Sequence, residues 1–243
     1  MSKYFNKFYP ESRFGGFSDV NGTICFYTRV RALLEPQFSV LDVGCGRCAD
    51  ADTMSDFERL LRIYKGQAKH VLGIDIDPVG ATNPALDEFR LIDGPRWPVE
   101  DASVDLAVSD WTLEHVEDPD AFFRECHRVL KPGGLLCLRT ANSLGYVVAL
   151  SKLVPDRIRT KVLNKIQPER MDHDGFPTVY RCNTIAKLSH ALAQTGFNAY
   201  VYGHNPEPTY LEFSYPSYAL GVLYQRITPR CWGTTLFAYA RKK

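Results

Sequence analysis

Two acids and two glycines, set where apolar runs end, carry the chemistry that is most readable in this 243-residue chain. In Ser39-Val40-Leu41-Asp42-Val43-Gly44-Cys45-Gly46 a run of buried-strand type holds an acid and closes on two glycines one residue apart. The chain must turn sharply there, with its backbone bare to a ligand. A second run, His70-Val71-Leu72-Gly73-Ile74-Asp75-Ile76-Asp77-Pro78, also ends among acids. Glycine spacing alone says little, because any tight turn contains glycine. Asp42 says more: a carboxylate inside the strand and aimed at the ligand repels a pyrophosphate and attracts a cationic or amine-bearing group.

The elements that must position these residues are set by periodicity. Tyr27, Val30, Leu33 and Leu34 share one face of a helix that Pro36 ends, and Met54, Phe57, Leu60, Leu61 and Tyr64 recur at helical spacing up to Gly66. Strand, glycine turn, helix and second strand make a βαβ unit with parallel strands. Further strands are expected over Phe89–Ile92, Val104–Ser109 and Leu135–Arg139. Between the last two, Asp118-Pro119 reads as a helix start, and Lys131-Pro132-Gly133-Gly134 stops that helix. Alternation this regular predicts an α/β, Rossmann-like doubly wound sheet with helices on both faces and ligands beyond the carboxyl ends of the strands.

The rhythm breaks over 141–183, which is expected to form a cap insertion carrying Lys152, Arg157, Arg159, Lys161, Lys165, Arg170 and Arg181. Thr184 then caps a helix, and strands at Phe197–Gly203 and Thr235–Arg241 would pair antiparallel across an elaborated connection at 204–232 rich in proline and tyrosine. One domain is expected over 1–243, with its core at about 25–140 and 184–243.

Composition narrows the classes. Lys and Arg total 29 against 28 Asp and Glu, so there is no electrostatic reason to expect nucleic acid as a partner. Seven cysteines without regular spacing argue against a disulfide framework and fit reduced thiols. Cys45 and Cys48 sit in a turn that has another explanation, so no metal site is expected. The first residues lack an apolar run of signal-peptide type and no stretch reaches the ~20 apolar residues of a transmembrane segment, so a cytoplasmic location is expected.

Two nucleotide cofactors compete for the glycine turn. A dinucleotide dehydrogenase uses G-x-G-x-x-G, and Ala49 stands where its third glycine would be, a tolerated replacement. Asp42 favours S-adenosylmethionine, with its ammonium and sulfonium, over NAD. Taken in order, Val40–Gly46, Gly73-Ile74-Asp75-Ile76-Asp77, Asp105-Leu106-Ala107-Val108-Ser109, Leu113-Glu114-His115-Val116 and Arg128-Val129-Leu130-Lys131-Pro132-Gly133-Gly134 resemble the successive motifs of class I S-adenosylmethionine-dependent methyltransferases, in particular the type 11 group.

That resemblance covers about residues 38–140 and implies a seven-stranded sheet with a reversed strand in a terminal hairpin. It also implies a cofactor site made of Asp42, Gly44, Cys45, Gly46, Asp75, Ile76, Asp93, Asp110 and Trp111. In it Asp75 would accept the ribose hydroxyls, Ile76 would contact adenine and Asp93 would read its amino group. The family's usual Leu-Pro-Phe after that last acid stands here as Arg96-Trp97-Pro98-Val99, which leaves the alignment of Asp93 open by a residue or two.

Several residues admit two readings. His115 can be a general base or a structural member of its motif, and His173, between Asp172 and Asp174, can be a base or a solvated loop residue. Tyr180 and Arg181 can face an acceptor or fill a packed corner, and Tyr146 is a candidate for the acceptor pocket. The cap's basic residues fit an anionic acceptor or a solvated surface. The Asn/Asp-Pro-Pro-Tyr/Phe motif of nucleobase-amine methylation is absent where the chain reads Ser109-Asp110-Trp111-Thr112. The expected reaction is therefore O-methylation of a small metabolite or glycan precursor, with a lipid-like or protein acceptor as the alternative. A non-catalytic S-adenosylmethionine-binding protein and an NAD-dependent dehydrogenase are the rivals from other classes.

Overall fold

The computed structural model describes residues 4–48, 51, 54–153 and 177–243. Its centre is a seven-stranded sheet in the order β3-β2-β1-β4-β5-β7-β6. The strands are β1 (Ser39–Val43), β2 (His70–Asp75), β3 (Glu88–Leu91), β4 (Val104–Asp110), β5 (Leu130–Ala141), β6 (Phe197–His204) and β7 (Thr235–Lys242). The first five are parallel, and β7 runs antiparallel between β5 and β6. β6 therefore runs parallel to β5 and delivers the 204–234 connection to the carboxyl end of the sheet, where a ligand is expected.

Strands buried on both faces alternate two apolar sets. Leu41, Val43, Ala107, Leu136, Leu138, Leu236 and Ala238 point to one side, with α4 (Pro119–Val129) and α6 (Ile185–Gln194) packed there through Phe123, Cys126, Leu188 and Leu192. Val40, Leu106, Val108, Cys137 and Phe237 point to the other, against Phe26 and Val30 of α2 (Gly22–Leu33) and Leu61 of α3 (Asp56–Arg62). A continuous apolar run with period-2 partitioning is what a doubly covered sheet requires.

Helix boundaries are set by local chemistry. Asp118 accepts from the Ala121 amide and Pro119 occupies the first turn, where its missing N–H costs nothing. Thr184 caps α6 through the Lys187 amide, and Ser55 and Glu58 close α3 with a reciprocal capping box. α3 is shorter than its apolar spacing suggests, and Phe57 and Leu60 lie exposed on it.

Lys131-Pro132-Gly133-Gly134 does not precede β5 but lies inside it. β5 pairs Val104 with Leu130, then resumes at Leu106 with Leu135 across an irregularity. Gly133 takes φ +76°, and a side chain on Gly134 would crowd the Lys131 carbonyl.

The 204–232 connection contains a full helix, α7 (Tyr215–Ile227), capped by Ser214 and Ser217 with Pro216 in its first turn. Its inner face, Tyr218 and Val222, packs on Phe5 and Tyr9 of the N-terminal segment that holds α1 (Phe5–Phe8). Of the 141–183 insertion, α5 (Tyr146–Leu153) and residues 177–183 are described. His173, Arg157, Arg159, Lys161, Lys165 and Arg170 lie outside the described residues. No helix among the described residues is long and apolar enough to cross a membrane.

Candidate functional site

The glycine turn leaves β1 at the carboxyl edge of the sheet. Gly44 takes φ +72°, and a side chain there would collide with Thr112, so the turn and the loop after β4 are packed against each other with no room between them. The amides of Gly44 and Cys45 both donate to the Ile74 carbonyl, at 2.8 and 3.2 Å. Gly46, at φ +48°, faces open space: a Cβ built there meets nothing within 4 Å. This is a bare stretch of backbone held in place from behind.

Asp75 is one of the groups that hold it. The carboxylate is buried, and its oxygens accept from the Gly46 amide and the Asp77 amide, each at 2.9 Å. An ionised carboxylate offers about four acceptor positions, so two remain for a ligand diol. Beside it Ile76 is 61% exposed, an apolar side chain presented to solvent at the end of a buried strand. Asn83 completes the clamp from below, donating to the carbonyls of Cys45 and Gly46 at 3.0 and 3.1 Å. Its sequence position, within a stretch that forms a 3-10 turn and a loop, carries no pattern that would have singled it out.

Asp42 sits under the turn. Burial, then the neighbouring carboxylates of Asp110 and Asp75, push its pKa up to about 7. Burial, together with Asp42 and Asp75, also lifts the Cys45 thiol well above its ordinary value, so Cys45 is a protonated wall and no nucleophile. A strand end where neighbouring carboxylates press Asp42 to hold its proton is suited to a cation.

Asp110 is held by partners on two other elements. Arg139 grips both of its oxygens in a two-pronged ion pair, Tyr27 donates to Oδ2 at 2.8 Å, and the other arm of Arg139 reaches Thr23 at 2.9 Å. This ties the ends of β4 and β5 to α2. The next residue, Trp111, takes φ +55° and lies half-exposed with its ring 5.3 Å from the Arg139 guanidinium. Asp93 comes after β3 as an exposed residue, while Trp97 and Val99 are buried among Phe122 and its neighbours; the Trp-Pro-Val stretch fills core in place of Leu-Pro-Phe.

His115 stands in a 3-10 turn, Leu113–His115, whose neighbouring acid is buried. Its Nδ1 donates to the Pro177 carbonyl at 3.0 Å, which places the lone pair of the neutral ring on Nε2. Glu114 turns inward and accepts from Thr140 Oγ1 at 2.8 Å, and Thr140 accepts from Asn183 Nδ2 at 2.7 Å. Burial raises the Glu114 carboxyl above its ordinary range. The Glu114 carbonyl accepts from Val179 and Tyr180, so this network fixes the return of the insertion against the turn that carries His115.

Tyr180 is held there by its backbone at φ +50°. Arg181 is turned to Glu117, which it meets at 2.8 Å on the exposed wall of a groove of about 1020 Å³ between α4 and α6. That wall is separate from the glycine turn. Tyr146 begins α5 with its ring 4.9 Å from Tyr224 of α7. No group of three His, Cys, Asp or Glu among the described residues is arranged to hold a metal ion.

Residues 41–138 match the family model described as a methyltransferase domain. Over that stretch the chain is similar to methyltransferase domains. It is 35% identical over 112 residues to a probable S-adenosylmethionine-dependent methyltransferase of Mycolicibacterium smegmatis, a match covering 44% of this chain and 39% of that protein. It is 29% identical over 141 residues to a ubiquinone biosynthesis O-methyltransferase of Pseudomonas aeruginosa, covering 54% and 56%. The chain thus spans well under two thirds of the curated relatives it matches. A Mesorhizobium loti S-adenosylmethionine-dependent methyltransferase shares the fold at TM-score 0.55 and 22% identity, over 88% of this chain and 96% of that one. The matched residues cover the strands and turns that carry Asp42, Asp75, Asp110 and His115.

Proposed function

We propose that this chain transfers a methyl group from S-adenosylmethionine to an oxygen of a small acceptor. The observation that carries the choice of cofactor is the end of β1, where Asp42, its pKa raised to about 7 by burial and by Asp110 and Asp75, precedes the open turn at Gly46, whose amide donates to Asp75. These residues fit the group: a carboxylate for the ammonium, a bare amide run for the methionine moiety, two open acceptor positions on Asp75 for the ribose and the exposed Ile76 for the adenine face. A pyrophosphate at the same strand end would meet carboxylates at short range, which disfavours a dinucleotide. When bound, S-adenosylmethionine supplies a methyl group on a sulfonium, already activated for departure.

The chain's own contribution is then positional. Thr112 packs against the turn at Gly44, and the Glu114–Thr140–Asn183 network holds His115 and the insertion's return in fixed relation. Holding a nucleophile in line in a site that excludes water accounts for most of the rate such a reaction needs. His115, fixed by its Nδ1–H to the Pro177 carbonyl, is the group assigned to take a hydroxyl proton.

The test is to incubate the protein with methyl-labelled cofactor and fractionated extract and to identify the labelled product. S-adenosylhomocysteine should raise the melting temperature and NADH should not; the reverse would sink the cofactor reading. His115→Ala should lower turnover about a hundredfold or more while leaving S-adenosylhomocysteine affinity intact. Unchanged turnover removes His115 as a base. A lipid-like acceptor is the second reading, favoured by the apolar surface of α7 beside the acceptor side of the sheet.

A further inference from the structure

α7 is apolar on both of its long faces. Tyr218 and Val222 face inward, whereas Leu220, Leu223 and Ile227, spaced three and four apart on the opposite side, are 66%, 53% and 70% exposed. No charged residue interrupts that outer stripe. A helix that is apolar all round is ordinarily buried, and this one leaves half of its apolar surface in water. Phe213 before the helix and Trp232 after it are also exposed, at 76% and 57%. An exposed apolar helix face of this kind on a folded chain marks a docking surface.

The charges around it say what docks. Between residues 209 and 232 the exposed charged side chains are Arg226 and Arg230, and α1, packed against α7, contributes Lys7, whose ammonium lies 4.5 Å from the Tyr215 ring. Glu207 is buried on Ser18, and Glu212 is partly buried with its carboxyl lifted above the ordinary range by that burial. A second copy meeting the patch face to face would bring these cations against one another, because an isologous contact pairs like with like. An apolar helix face rimmed by cations and by tyrosine and tryptophan is instead the pattern of a helix that lies in the plane of a lipid–water interface.

We infer that the outer face of α7 docks on the surface of an anionic lipid bilayer. There it presents the acceptor side of the sheet to an amphiphilic acceptor held in that bilayer. Position supports the second half of the inference. α7 lies in the connection that leaves the carboxyl end of β6, its Tyr224 contacts Tyr146 of α5, and Asn142, just beyond β5, ties this connection down through the carbonyls of Cys231 and Gly233 at 3.0 and 2.7 Å. The acceptor half rests on the methyl-transfer reading; docking itself does not.

Flotation of the full chain with vesicles tests it without any methyl transfer. Phosphatidylcholine vesicles containing phosphatidylglycerol should carry the protein up the gradient, and neutral phosphatidylcholine vesicles should carry at least several-fold less. Leu220→Glu/Leu223→Glu/Ile227→Glu should lower the vesicle-bound fraction at least tenfold, and the milder Leu223→Gln/Ile227→Gln should lower it several-fold. Arg226→Gln/Arg230→Gln should weaken binding to the anionic vesicles only. For every variant the melting temperature and its rise with S-adenosylhomocysteine should match the unsubstituted chain.

Full recovery of the unsubstituted chain in the unbound fraction overturns the inference. So does vesicle binding that the glutamine pair leaves unchanged, or a dimer in solution that the same pair dissolves. Vesicle binding in a chain that S-adenosylhomocysteine does not stabilise keeps docking and sinks the methyl-transfer reading, so the two failures are separable.

Discussion

The two sides of the cleft are built by different means. On the cofactor side, backbone amides of Gly44, Gly46 and Asp77 donate to the Ile74 carbonyl and the Asp75 carboxylate within a few residues of two parallel strand ends, and Asn83 adds a side-chain tie from further along the chain. On the acceptor side, the ties are side chains reaching across long stretches of chain: Asn142 to Cys231 and Gly233, Ser18 to Glu207, Asn183 to Thr140. Backbone ties demand glycine and a strand-end acid at fixed spacing, whereas side-chain ties can be made by many residues from many places.

Substitutions should divide along the same line. The largest effect is expected where the two sides are joined. Arg139→Ala leaves the Asp110 carboxylate without its partner in a site that is largely buried, and should cost about 3 to 5 kcal/mol of folding free energy by denaturant titration. A cost below about 1 kcal/mol would mean the two sides are not coupled through that pair. Asp75→Ala comes next. Loss of hydrogen bonds to a charged group should weaken S-adenosylhomocysteine by roughly 1.5 to 3 kcal/mol in calorimetry, and unchanged affinity would remove the ribose assignment.

Asp42 gives a pH signature. Its carboxyl is held at about 7, above its unfolded value, so it is protonated in the free protein below that pH. Binding a cation requires the charged form. Affinity for S-adenosylhomocysteine should therefore fall by up to about tenfold per pH unit as pH drops below 7, and Asp42→Asn should flatten the profile. The unliganded fold should respond with the opposite sign: a raised carboxyl makes the folded state bind the extra proton, so Asp42's share of stability increases as pH falls from 7 toward the ordinary carboxylate value. The smallest effect belongs to Arg181→Ala. Its exposed pair with Glu117 should contribute under about 0.5 kcal/mol to stability, and a large loss of acceptor use would return Arg181 to the acceptor site.

The same contrast sets what the sequence discloses. β1, the glycine turn, β2 and the Asp118 cap are readable because each is a local pattern whose physics is complete within about ten residues. α7 is hidden because Pro216 and the surrounding tyrosines resemble a loop, although proline is at ease in a first turn after the Ser214 cap. The irregular start of β5 is hidden because Lys131-Pro132-Gly133-Gly134 has the composition of a stop, and only the register with β4 shows that pairing continues through it. Asp110 reads as a strand-end acid like Asp75, but its partner Arg139 lies 29 positions on and Tyr27 lies 83 positions before it. Asn83 and the Glu114–Thr140–Asn183 network are likewise invisible, since their meaning exists only once distant segments meet.

The grip of Arg139 on Asp110 and Thr23 also marks a seam for engineering. It fastens β4, β5 and α2 together one residue before Thr140, at the last point the cofactor side shares with the acceptor side. Segments grafted beyond that seam, from Ala141 onward and between β6 and β7, would inherit a finished cofactor side. A library of acceptor specificities could be spliced onto this chain there while its cofactor chemistry stays constant.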